Sequence, residues 1–184
     1  ASRKQSCWEA WSAATARKAF AFAEEYKKFI NQAKTEQECV QVIIKEAEKL
    51  GYKNINKVEK VKAGDKIYYS QKDKVIFLAK IGNKKLEQGF RLLMAHIDSP
   101  HLDLKASPLY EDEGLALFKT HYYGGIKKYQ WPTVTLALHG KAYLLDGSSR
   151  EIVIGEKSSD PIFMITDLLP HLDRGGSEEQ PKKR

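Results

Sequence analysis

His96 and Asp98 stand two residues apart in Met94-Ala95-His96-Ile97-Asp98-Ser99-Pro100, at the end of an apolar run. The run Arg91-Leu92-Leu93-Met94-Ala95 reads as a buried strand. Side chains alternate along a strand, so the imidazole and the carboxylate would share one face. A neutral imidazole binds a metal through one ring nitrogen, and a carboxylate on the other nitrogen fixes the ring and its tautomer. That pair is half of a metal site. A hydrolytic zinc site needs about three protein ligands and an open position for water.

Taken one at a time, the other four histidines, His101, His121, His139 and His171, read as structural or exposed; His96 is the exception through its paired Asp98 and its place at the end of an apolar run. Pro100 breaks the strand before His101 and turns the backbone away. The chain has no H-E-x-x-H, no C-x-x-C and no pair of glutamates on a strand end. Glu178-Glu179 lies in a polar tail. Nucleophilic catalysis has little support, because no G-x-S-x-G elbow is present and Ser99-Pro100 reads as a turn. Neither glycine-rich phosphate motif occurs, and Gly124-Gly125 reads as a turn after two tyrosines, the alternative being a backbone that approaches a ligand or a neighbouring subunit closely.

The elements that must position these residues follow from periodicity. Residues 8–31 carry Trp8, Trp11, Phe20, Phe22, Tyr26, Phe29 and Ile30 on an irregular helical stripe, expected to pack on a core. Thr35-Glu36-Gln37-Glu38 is a capping box that opens a second helix, with Val40, Ile43, Ile44 and Ala47 on one face. Gly51 is expected to end it. The period then changes: 66–70 and 74–80 form a hairpin through Gln71-Lys72-Asp73, and 91–98 is a third strand. Beyond Pro100 come short strand candidates at 102–105, 115–120, 133–138 and 152–154. Turns separate them at Glu111-Asp112-Glu113-Gly114, Tyr123-Gly124-Gly125 and Asp146-Gly147-Ser148-Ser149. A short helix is expected over 167–172 and a flexible tail from about 174. The chain therefore reads as α/β with a boundary near residue 102 and a β-rich module after it.

Composition narrows the function. The 184 residues carry 31 Lys+Arg against 24 Asp+Glu, a net charge of +7. The basic residues are spread along the chain and mixed with acids, so nucleic acid is not the expected partner. Two cysteines, Cys7 and Cys39, are too few for a disulfide framework and point to a reducing, cytoplasmic setting. No apolar run reaches the roughly 20 residues that span a bilayer, and no signal-peptide core is seen, so no membrane partner is expected.

The stretch from Met94 to Pro100 resembles the first metal-site motif of the aspartyl aminopeptidase and vacuolar aminopeptidase I family, dinuclear zinc aminopeptidases. Tyr123-Gly124-Gly125 with Trp131 and Thr133-Val134-Thr135-Leu136 resembles the family's next landmark, and Ile165-Thr166-Asp167-Leu168-Leu169-Pro170-His171-Leu172 a third. The order and spacing match, nearly to residue 173, and look closest to a bacterial, clostridial-type branch. The resemblance implies an α/β peptidase domain, of which 1–102 is the N-terminal part, followed by an inserted β-rich dimerisation domain over 103–184. It implies that His96 is a zinc ligand and that Asp98 is the catalytic carboxylate orienting it. It implies that His171 reaches a neighbouring subunit's active site and helps hold substrate.

Further implications concern the whole enzyme. Two zinc ions would be bound, with cobalt or manganese as possible substitutes. The substrate would be a peptide with a free N-terminus, and the assembly a homo-oligomer built from dimers into a dodecamer. The bridging Asp, the general-base Glu and the final His of the family come later than the point this chain reaches. The chain is thus expected to be an N-terminal portion of a metalloaminopeptidase. The alternative is a catalytically inactive fragment that acts as an assembly module.

Overall fold

The computed structural model describes residues 5–167. The chain divides into two compact units, 1–98 and 99–184. The boundary expected near residue 102 falls just inside the first long strand of the second unit, which begins at His101.

The first unit opens with helices α1 (Cys7–Ala10), α2 (Ala13–Gln32) and α3 (Glu36–Lys49). The single helix expected over 8–31 is broken because Ser12 caps α2, accepting from the Thr15 N–H. Its aromatic stripe does not reach a core: α2 buries none of its residues, and Phe20 and Phe22 stay exposed. Residues two apart on a helix cannot share one face, so the stripe was never a single surface.

The capping box of α3 is present in both halves. The Thr35 side chain accepts from the Glu38 N–H, and the Glu38 carboxylate accepts from the Thr35 N–H. The helix ends in a Schellman motif. Gly51 takes φ +84°, its N–H bonds the Glu48 carbonyl, and the Tyr52 N–H bonds that of Ala47. Helix α3 packs against a three-stranded sheet ordered β1 (Lys53–Asn54), β2 (Lys66–Gln71), β3 (Val75–Lys80). Among the described residues the buried core is Cys39, Val40 and Ala47 from α3, with Tyr68 from β2. The β2–β3 hairpin turns on Lys72 and Asp73, both at positive φ, and the Lys74 N–H closes it on the Gln71 carbonyl.

The strand expected over 91–98 is not formed: this segment is irregular. A strand exists only through the ladder it shares with a neighbour, and no described residue pairs with it. Its apolar side chains are consequently outside, Leu93 at 97% exposure.

Among the described residues the second unit carries two antiparallel hairpins, β4 (His101–Asp112) with β5 (Leu115–Tyr123), and β6 (Leu138–Tyr143) with β7 (Ser149–Ile154). The first hairpin turns on Glu113-Gly114, both at positive φ as a type I′ turn requires. Its register slips between Leu104 and Leu109. Pro108 lies in that stretch and has no N–H to offer the ladder. Of the strand expected over 133–138, only Leu138 enters β6, and Leu136 makes an isolated bridge to Phe163. Thr133 sits at φ +64°, which an extended strand excludes and which a β-branched residue rarely adopts. The expected helix after Asp167, His171 and the tail from about 174 lie outside the described residues.

Candidate metal centre

His96 and Asp98 meet without a ladder to hold them. The His96 Nδ1 lies 2.9 Å from the Asp98 Oδ1. A carboxylate only accepts, so a neutral His96 must carry its proton on Nδ1 and present the Nε2 lone pair outward. The His96 side chain is 93% exposed, against 27% for Asp98. The carboxylate is therefore the anchored member and the imidazole the presented one.

The other described histidines are engaged differently. His101 places Nδ1 2.6 Å from the Ser99 carbonyl and Nε2 3.1 Å from the Asp103 carboxylate, and its ring stacks on Tyr123. Both its nitrogens are used, so it has none left for a metal. His139 is mostly buried and bonds the Glu156 carboxylate through Nε2 at 3.0 Å. His121 stacks on Tyr122. His171, the expected substrate-binding residue, lies outside the described residues.

The donor chemistry of His96 with Asp98 fits one zinc ligand and its orienting partner. Among the described residues no group of three or more His, Cys, Asp or Glu is placed to hold a metal. The thiols do not substitute. Cys39 is buried in α3, where desolvation pushes its thiol up and away from the reactive thiolate. Cys7 is exposed on a one-turn helix.

Two supports escaped sequence reasoning. Gly124 takes φ +75°, and a side chain there would touch Pro100 at 3.5 Å, so the backbone it packs against is the chain's own, just before β4; the turn expected at Ser99-Pro100 is not formed. A glycine doublet directly after a strand was the available signal. The Tyr123 ring over His101 left none, because a cross-strand pair is set by register.

The sequence profile described as aminopeptidase I zinc metalloprotease (M18) matches residues 29–183. The chain is 45% identical over 183 residues to a probable M18 family aminopeptidase 1 of Clostridium acetobutylicum, covering 97% of this chain and 39% of that relative. Among solved structures, an M18-family aminopeptidase from Thermotoga maritima superposes with a TM-score of 0.86 at 38% identity, covering all of this chain and 40% of that one. Aminopeptidase I from Clostridium acetobutylicum superposes with a TM-score of 0.81 at 44% identity, covering 97% and 40%. The chain spans about two fifths of the length of the relatives it matches.

Proposed function

The chain belongs to the aminopeptidase I zinc metalloprotease family (M18), and on that premise we propose that it is the N-terminal portion of a metalloaminopeptidase that removes N-terminal residues from peptides. The observation that carries this reading is the 2.9 Å contact between His96 Nδ1 and the Asp98 carboxylate, with the imidazole otherwise open. His96 would hold one zinc ion through Nε2, and Asp98 would keep the ring in the required tautomer. Bound zinc supplies Lewis acidity and activates water at neutral pH. The remaining ligands, a second metal and the general-base Glu belong, in this reading, to the part of the relatives that the chain does not span. Zinc follows from the family; cobalt or manganese could take its place.

Residues 1–102 are assigned to the peptidase α/β domain and 103–184 to an inserted dimerisation domain, with His171 reaching substrate across a subunit boundary. A dimer-based homo-oligomer, a peptide substrate and a cytoplasmic setting complete the proposal; nucleic acid is not a partner in it. Among the described residues no helix is long and apolar enough to cross a membrane. The test is reconstitution. The chain is combined with the remaining portion of a relative and assayed for release of N-terminal amino acids with zinc, cobalt or manganese. Release that is lost in His96→Ala supports the reading; no release from any peptide removes it.

A second reading is favoured by one observation, that no three-ligand cluster occurs among the described residues. The chain alone would then be an inactive assembly module, joining copies of itself or a full-length relative through its β-rich unit. A monomer at high concentration with no affinity for a full-length relative would exclude it.

A further inference from the structure

The first unit carries a groove of about 730 Å³ between the C-terminal end of α3 and the segment leading into β2. Five of its lining residues are lysines, Lys53, Lys57, Lys60, Lys62 and Lys66, against two acids, Glu59 and Asp65. Two of these seven charges belong to the wall. The Asp65 carboxylate accepts from the Lys62 N–H at 2.9 Å, and the Lys66 ammonium donates to the Leu50 carbonyl at 2.7 Å. Lys53, Lys57, Lys60 and Lys62 have no ion pair among the described residues.

The frame that carries these lysines is ordered at both ends. The Schellman motif at Gly51 fixes one end, and the Gly64 N–H bonded to the Ile81 carbonyl fixes the other. Between them the Asn54 side chain caps a turn by accepting from the Asn56 N–H. A concave surface lined by one sign of charge concentrates counter-ions and raises the rate at which they arrive. Lysine meets an anion as a point charge and does not demand the planar fork that arginine does. The groove also offers apolar surface, from Leu50 at 63% exposure and from the half-buried Val58 and Ile67. A phosphate chain has nothing to place on these side chains; a peptide does.

We propose that this groove, lined by Lys53, Lys57, Lys60 and Lys62 around Leu50, Val58 and Ile67, binds an extended peptide segment that alternates carboxylates with apolar side chains. The interaction requires no metal and stands apart from the aminopeptidase reading.

The test is fluorescence anisotropy on the 184-residue chain with a labelled eight-residue peptide alternating Glu with Leu. Binding is expected, and it should weaken as ionic strength rises and the screening length falls from about 30 Å at 0.01 M to about 8 Å at 0.15 M. Lys57→Glu with Lys60→Glu should weaken it by about tenfold or more. Both residues are exposed, so the fold should persist, as far-UV circular dichroism checks. The milder pair Lys57→Gln with Lys60→Gln should weaken it less, and serves if charge reversal unfolds the chain. Lys18→Glu with Lys28→Glu on α2 imposes the same change of net charge and should leave binding intact. The proposal is overturned by no binding, or by equal loss in the groove and α2 variants. It is equally overturned if an eight-residue peptide alternating Gln with Leu, one alternating Glu with Ser, or inorganic polyphosphate binds as tightly.

Discussion

His96 and Asp98 form a contact in which the carboxylate is the better-buried partner and the imidazole is almost wholly presented, with 2.9 Å between Nδ1 and Oδ1. The arrangement sets the tautomer without any further partner. In the 184-residue chain, imidazole ¹⁵N shifts of His96 should report a proton on Nδ1. Asp98→Ala should let the Nε2–H tautomer in. In a reconstituted enzyme, loss of such an orienting partner typically costs about 10–100-fold in metal affinity or activity. An unchanged tautomer in the Asp98 variant would show that the carboxylate does not orient the ring.

Tyr68 is buried, and its hydroxyl donates to the Glu48 carboxylate at 2.7 Å. That hydrogen bond, followed by desolvation and the charge of Glu48, raises the phenol above its ordinary value of 10.0. A raised acid contributes stability that is complete below the unfolded value and is lost as pH climbs through the folded one. Denaturant midpoints should therefore fall above about pH 10 in the parent. Tyr68→Phe should flatten that alkaline fall, at a cost near neutrality of about 1.5–3 kcal/mol for the missing hydrogen bond to a charged group. Parallel alkaline slopes in the two proteins would contradict this.

Gly155 takes φ +102°, and a Cβ there would sit 3.1 Å from the Ala137 Cα and 3.3 Å from the Leu136 carbonyl oxygen. Backbone strain and overlap act together at this position. Gly155→Ala should destabilise the chain by about 2 kcal/mol or more, read as a shift in the urea midpoint. Gly147→Ala, at φ +82° with nothing within 4 Å, should cost only the strain. Equal shifts would show that the contact with Ala137 is irrelevant.

The Asp160 carboxylate accepts from the Lys157 N–H at 3.1 Å and the Gly155 N–H at 3.0 Å. Those two bonds, Lys157 first, hold its carboxyl below the ordinary 3.8. A depressed acid contributes above its unfolded value and loses that contribution as pH falls through the folded one. On acidification below pH 3.8 the amide resonances of Gly155 and Lys157 should move together. Asp160→Asn should abolish the shared titration while keeping an acceptor in place. Independent titration of the two amides would refute a common carboxylate.

Much of the candidate site was legible in the sequence. His96 and Asp98 are two residues apart, so their meeting depends on local backbone, and the structure joins them even though the expected strand is absent. The roles of His101 and Tyr123 were not legible, because stacking across β4 and β5 depends on register between residues 22 apart in sequence. The aromatic residues of α2 looked like a core face and proved exposed, since burial needs a partner surface that periodicity cannot supply.

The sequence by itself determined the capping box at Thr35, the glycine end of α3, the β2–β3 hairpin and the contact of His96 with Asp98, all of which arise from residues a few positions apart. Only the tertiary structure decided that 91–98 has no ladder, that Thr133 interrupts an expected strand, and which histidines are already engaged. The reason is physical. Caps, turns and short-range hydrogen bonds are settled by local geometry, whereas strands and buried faces exist only when a distant segment supplies the other half.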